Sequence, residues 1–262
     1  MIHYVLILAA GKGSRLKNSQ IPKQFLLINN LPIIMHSILA FKDADPSCKI
    51  YIALPKNYLD FWKKLCKNYN FKIKHKIYIG GNSRTSSVWN GLEKINQEKI
   101  VAKQLSKSTK SNHFNDIVSI HDAARPFIDK KLILNLIKIA KKKGIAIPAI
   151  KLKNSLRKIS LENSSVNLAQ DRRQYIITQT PQVFYLKDIY DSYIKINYEF
   201  AKYNDNDILD SKYLFDDAGI YEASKTEALV NIEHGREYNI KITTDLDYLI
   251  APTIYEFVKN LK

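Results

Sequence analysis

Gly11 and Gly13 stand directly after the apolar run Tyr4–Ala10, with Lys12 between them and Arg15 just beyond. Glycines at these points permit positive φ and leave no Cβ, so backbone N–H groups can converge on an anion while the two cations supply charge. That is phosphate-binding chemistry. Pro22-Lys23-Gln24 adds a third cation on a segment that Pro22 stiffens. A dinucleotide fold also uses Gly-x-Gly after a strand, but Leu16 replaces the third glycine and no acidic residue ends the following strand. By itself the segment reads either as a phosphate loop or as a basic surface turn.

Other segments concentrate polar chemistry in the same way. Gly80-Gly81-Asn82-Ser83-Arg84-Thr85-Ser86-Ser87 joins a strand to a helix. It could dock an anion or a base edge, or be an ordinary glycine turn with Ser83 as N-cap. In His121-Asp122-Ala123-Ala124-Arg125-Pro126 an acidic residue lies just past the carboxyl end of an apolar strand, where open α/β sheets bind ligands and a hard carboxylate can hold Mg²⁺. The alternative is an Asp122–Arg125 ion pair that shapes a turn. His121 should point away from Asp122 on extended backbone, which favours packing or hydrogen bonding over catalysis. Asp171-Arg172-Arg173, Gln179-Thr180-Pro181-Gln182 and Phe215-Asp216-Asp217-Ala218-Gly219 follow. Near the end, Asn239-Ile240-Lys241-Ile242-Thr243 alternates as a strand would, with Asn239, Lys241 and Thr243 on one polar face. Either a solvated edge or an active site accounts for that face.

The elements that must position these residues follow a βαβ rhythm: strand Tyr4–Ala10, helix Pro32–Phe41, strand Lys49–Leu54, helix Tyr58–Tyr69, strand Lys76–Ile79 and helix Arg84–Ile95. Strand Asp116–Ile120, helix Asp129–Lys143 closed by Gly144, and strand Ile145–Ile150 continue it. The expectation is an α/β fold of three layers with a mostly parallel sheet. Polar stretches at 96–115 and 202–211 read as surface insertions. From Lys151 to Val183 strand-like pieces, Ser155–Ile159 and Tyr175–Thr178, surround the turn-like Glu162-Asn163-Ser164-Ser165, which suggests a projecting β-arm at about 151–183 that would bury its apolar face against a second copy. Residues 1–262 are read as a single domain carrying that arm.

Composition narrows the function further. The 262 residues are 45% hydrophobic, enough for a substantial core. Cys48 and Cys66 have no metal or redox spacing and suit a reducing cytoplasm. No apolar run approaches the roughly 18 residues a membrane helix needs, and the N-terminal run lacks a preceding cation, so neither a membrane span nor a secretory leader is expected. Net charge is +16, but 34 of the 41 cations are lysines scattered over nearly every segment, whereas Arg15, Arg84, Arg125, Arg172 and Arg173 fall in or beside the polar motifs. That distribution argues against nucleic acid and for local recognition of phosphate.

Taken in order, Leu8-Ala-Ala-Gly-x-Gly-x-Arg15, Pro22-Lys-Gln24, Gly80-Gly-x-x-Arg84 with Ser87-Val88 and Gly91-Leu92, His121-Asp-Ala-Ala-Arg-Pro126, Gln179-Thr-Pro-Gln182 and Asn239-Ile-Lys-Ile-Thr243 resemble the motifs of the 2-C-methyl-D-erythritol 4-phosphate cytidylyltransferase family. The resemblance spans almost the whole chain. It implies a Rossmann-like nucleotidyltransferase fold, a homodimer made through the arm, Mg²⁺, and CTP with a sugar-alcohol phosphate as substrates. Carried onto matching positions, Ala10, Gly11, Gly13, Arg15 and Lys23 would hold the triphosphate, Gly81 and Ser87 would read cytosine, and Asp122 would hold Mg²⁺. Arg125, Thr180 and Thr243 would line the acceptor site, reached from the other subunit by Ser155 and Arg172, and Lys241 would face the reacting phosphate. Departures gather on the acceptor side: Asn154-Ser155 replaces a usual Asp-Thr, Phe215 a usual Thr, and Gly219 a common Ser. Ribitol 5-phosphate therefore stays open as the alternative acceptor.

Overall fold

Alternate residues of the first strand belong to two different cores, and the layering follows from that. In a computed structural model that describes residues 1–11, 21–105, 115–160, 166–202 and 215–261, β1 (His3–Leu8) sends Val5 and Ile7 into one apolar cluster and Tyr4 and Leu6 into another. A strand buried on both faces needs helices on both, as a parallel sheet provides. After β1 come the short hairpin β2 (Leu27–Ile28) and β3 (Leu31–Pro32), α1 (Ile33–Ala44), β4 (Lys49–Leu54), α2 (Leu59–Asn68), β5 (Lys76–Ile79) and α3 (Arg84–Leu105). Then follow β6 (Ile117–Asp122), α4 (Lys130–Lys143), β7 (Ile145–Lys151), β8 (Leu156–Ile159), β9 (Asn167–Gln170), β10 (Ile176–Thr178), β11 (Gln182–Tyr185) and α5 (Leu186–Lys202). The chain closes with α6 (Asp217–Ala223), β12 (Ile232–His234) and α7 (Asp245–Lys259).

The main sheet runs β10-β7-β11-β6-β1-β4-β5, with β12 also paired to β7. The β6-β1-β4-β5 half is parallel, whereas β11 is antiparallel to both β6 and β7. α1, α2 and α4 cover one face, and α3, α5 and α6 the other. α4 starts where Asp129 accepts the Leu132 N–H at 2.7 Å and stops at Gly144, whose φ of +91° suits glycine.

Several expectations are corrected. The polar stretch after Ile95 does not leave the helix: α3 continues to Leu105, because Glu-Lys-Ile-Val-Ala-Lys-Gln is rich in helix formers. Asn239–Thr243 joins no sheet; it is held by scattered hydrogen bonds instead. Within the arm region, β8 pairs antiparallel with β9 as a separate two-stranded sheet, whereas β10 belongs to the main sheet through β7. The expected turn Glu162–Ser165, the cations Lys12 and Arg15, Gly13, residues 106–114 of the first polar insertion and 203–211 of the second lie outside the described residues.

Candidate functional site

Asp122 is the last residue of β6, in register with Leu8 at the end of β1, so both strands deliver their carboxyl ends to one crevice. Its carboxylate is nearly buried and meets three cations drawn from far apart in the chain. Lys241 Nζ lies 2.9 Å from Oδ2, Arg84 Nε 3.3 Å from Oδ1, and Arg125 Nε 3.8 Å from Oδ2. Burial alone would raise the Asp122 pKa, but Arg84, Lys241 and Arg125 outweigh it and hold the carboxyl well below the ordinary range. Asp122 is thus an anion at any physiological pH.

Lys241 arrives there without a strand. The Ile242 N–H donates to Ala124 O at 2.9 Å, pinning the segment to the turn after β6. Asn239 O accepts from Arg125 Nη1 at 2.8 Å, and Asn239 Nδ2 donates to Thr180 O at 3.0 Å. Ile242 is buried in a third cluster with Phe127 and residues of α7, so apolar neighbours on both sides of Lys241 hold its side chain toward the crevice. Asn239 is fully buried and does not join a polar face with Lys241 and Thr243, which corrects the strand reading. Lys23 Nζ donates to Ile242 O at 2.9 Å, and that bond places the cation of the Pro22-Lys23 motif beside Lys241. Gln24, one residue on, is buried and donates from Nε2 to Ala9 O at 2.7 Å, fixing the backbone that leads to Ala10 and Gly11.

Gly80 and Gly81 lie beside that entry. A Cβ on Gly80 would sit 2.2 Å from Ala10 Cβ, so the absent side chain lets the turn before α3 touch the end of β1. The Gly81 N–H donates to Ser87 Oγ at 3.0 Å, while the Ser87 hydroxyl donates to Ser83 O at 2.8 Å. Ser87 therefore shapes the turn with its hydrogen-bonding capacity.

Thr180 and His121 complete a buried chain. The Asp122 N–H donates to Thr180 Oγ1 at 3.1 Å, Thr180 Oγ1 lies 3.2 Å from His121 Nδ1, and His121 Nε2 lies 3.0 Å from Arg125 O. Burial pushes the His121 pKa down to about 4, leaving a neutral ring that accepts at Nδ1 and donates from Nε2. Its edge-to-face contact with Phe41 lies on the opposite sheet face from Arg84, consistent with a structural imidazole. Thr243 donates through Oγ1 to Asp247 at 2.9 Å.

The structure thus gathers Gly11, Lys23, Gly81, Ser87, Asp122, Arg125, Thr180, Lys241 and Thr243 around the ends of β1 and β6. Ser155 and Arg172 lie exposed on the arm, where Arg172 Nη1 bonds Lys153 O. Two contributors were not singled out as site residues from the sequence: Arg84, which sits inside the glycine-turn motif, and Gln24, whose neighbour Lys23 was.

A model of the 2-C-methyl-D-erythritol 4-phosphate cytidylyltransferase family matches residues 3–256 of this chain. The chain belongs to that family. The protein so named in Azobacteroides pseudotrichonymphae is 37% identical over 97% of this chain and 98% of its own length, and that of Bacteroides thetaiotaomicron is 31% identical over 95% and 98%. Among solved structures, 2-C-methyl-D-erythritol 4-phosphate cytidylyltransferase from Francisella tularensis has a TM-score of 0.67 at 26% identity, covering 97% of this chain and all of that one. The 4-diphosphocytidyl-2C-methyl-D-erythritol synthase of Anaerococcus prevotii, at 23% identity and a TM-score of 0.71 over 97% and 98%, shares the fold. The cytidylyltransferase family accounts for the ordered motifs: Gly11, Lys23, Gly81, Asp122, Thr180 and Lys241 meet in one crevice although 230 positions separate Gly11 from Lys241. Among the described residues no helix is long and apolar enough to cross a membrane.

Proposed function

We propose that this enzyme transfers CMP from CTP to 2-C-methyl-D-erythritol 4-phosphate, releasing pyrophosphate and forming the CDP-alditol. The observation that carries the reading is the 2.9 Å approach of Lys241 to Asp122, with Lys23 tied to the adjacent carbonyl. An acceptor phosphate oxygen attacks the α-phosphorus in line, the bond to the bridging oxygen breaks, and pyrophosphate leaves with that oxygen. A phosphate monoester is already nucleophilic near neutral pH, so positioning and charge neutralisation suffice. Lys23 and Lys241 would offset charge that develops on the α-phosphoryl oxygens, Arg125 would face the acceptor phosphate, and Gly81 would present its backbone to the base. Arg15 and Gly13 are assigned to the triphosphate on the family resemblance.

Asp122 suits Mg²⁺. It is a hard, ionised oxygen donor, and Mg²⁺ commonly takes one or two carboxylates and completes its shell with substrate phosphates and water. No group of three His, Cys, Asp or Glu among the described residues forms an all-protein cage. Bound there, the ion would neutralise triphosphate charge.

The arm supports a homodimer in which Ser155 and Arg172 reach the acceptor site of the other subunit: Ile159, Leu168, Ile176 and Ile177 expose apolar surface along it. A coupled pyrophosphate assay tests the reading. Release is expected with CTP, Mg²⁺ and methylerythritol phosphate. Preference for ribitol 5-phosphate would move the acceptor assignment, and preference for UTP would remove the cytidylyl reading.

A further inference from the structure

The acidic pair Asp216-Asp217 has no part in the transfer described above, yet Asp217 is fully buried at the start of α6. Both its oxygens are engaged: Oδ1 accepts from the Tyr193 hydroxyl at 2.8 Å, and Oδ2 from Arg84 Nη2 at 2.7 Å. The same guanidinium turns its Nε to Asp122 Oδ1 at the longer distance of 3.3 Å. Arg84 opens α3 immediately beyond the turn that carries Gly81, so α6, α3 and the end of β6 converge on one side chain. Asp216 cannot substitute, because it caps α6 through the Gly219 N–H at 2.9 Å and accepts from Gln182 Nε2 at 2.7 Å.

We propose that Asp217 is a positioning residue of the nucleotide site: acting through Arg84, it fixes the Gly81 turn relative to Asp122 and so sets the span between the base end and the phosphate end of bound CTP. This rests on the CTP reading. Asp217 keeps Arg84 from closing fully onto Asp122. Without it, the guanidinium has a single ionised partner; it moves toward Asp122, crowds Lys241 and draws the start of α3 with it. The base-reading turn then no longer matches the phosphate-binding groups.

The test is a double-mutant cycle of Asp217→Asn and Arg84→Gln, read by KM and kcat for CTP, by CTP-over-UTP preference and by KM for methylerythritol phosphate. Asp217→Asn is expected to raise KM for CTP about tenfold and to narrow the CTP-over-UTP preference, with KM for the acceptor unchanged; in the Arg84→Gln background it should add less than about twofold. Additive losses, or a folded Asp217→Asn protein with wild-type KM and base preference, overturn the proposal. Should Asp217→Asn fail to fold, Tyr193→Phe weakens the same anchor without removing the carboxylate. It is expected to raise KM for CTP about threefold only when Arg84 is present, and no change, or the same change without Arg84, overturns it. A wild-type enzyme that releases no pyrophosphate from CTP with any alditol phosphate defeats the functional reading; an active wild type with an additive cycle defeats the anchor alone.

Discussion

Lys241 touches Asp122 while its side chain remains more than a third exposed, a combination that leaves the ammonium free to exchange a carboxylate for a phosphate. Lys241→Ala is therefore expected to fold normally by circular dichroism and to lose on the order of 10²- to 10³-fold in kcat, the scale of removing one preorganised transition-state donor. Asp122→Asn should be comparably impaired, and wild-type turnover in either variant would strip that residue of its role. The individual chemistry of these residues was legible in the sequence: Asp122 stood past an apolar strand, and Lys23 followed a proline. Their convergence was not. Nothing in spacing alone brings Lys241 to Asp122, because the contact depends on tertiary bonds made outside any regular ladder, Ile242 N–H to Ala124 O and Asn239 Nδ2 to Thr180 O among them. Arg84 was equally opaque, since its buried partner Asp217 lies 133 positions away.

α7 begins three residues after Ile242, and its capping box fixes the approach of Lys241. Thr244 Oγ1 accepts the Asp247 N–H at 3.2 Å, while Asp247 Oδ2 accepts the Thr244 N–H at 2.8 Å and both the N–H and hydroxyl of Thr243. Those donors overcome the burial that would raise the Asp247 carboxyl and lower its pKa instead. Asp247→Ala is expected to cost about 1 kcal/mol of stability in urea unfolding, the usual value of a lost cap, and to reduce kcat/KM because Thr243 and Lys241 lose their register. A stability loss with full activity would separate the cap from the site. At this scale the sequence was informative wherever caps and periodicity agreed, as for α4 between Asp129 and Gly144. It misled where polarity disguised helix, in the second half of α3, and where alternation suggested a strand at Asn239–Thr243 that found no neighbouring ladder.

Among the described residues, His36 and His121 are buried and His75 is half-buried, and all three rings favour the neutral form. Burial lowers the pKa of His36, His75 and His121, the last to about 4, and His75 Nε2 accepts from Trp62 Nε1 at 3.0 Å, which a protonated ring could not do. Each group binds its proton more weakly folded than unfolded. As pH falls below about 6.5 the unfolded chain takes up protons that the native state refuses, so stability declines with acidity across that window. Thermal unfolding between pH 7.5 and 5.5 should show a falling Tm, with a shallower slope in His75→Gln; equal slopes would exclude His75 as a contributor. At the same scale, the proposed dimer predicts that light scattering gives twice 30.3 kDa and that Leu168→Asp on the exposed arm yields the single-chain mass with reduced kcat. A wild-type protein of single-chain mass would remove the arm from the acceptor site.

Around the crevice, Lys23, Arg84, Arg125 and Lys241 outnumber Asp122 and Asp217, and the chain as a whole carries a net charge of +16. A field of that sign reaches beyond contact distance into solution, to about 10 Å at 0.1 M ionic strength. Encounter with a polyanionic nucleotide is then guided before any hydrogen bond forms: its association rate should drop steeply with added salt, whereas its residence time, governed by contacts already shielded from the medium, should change little.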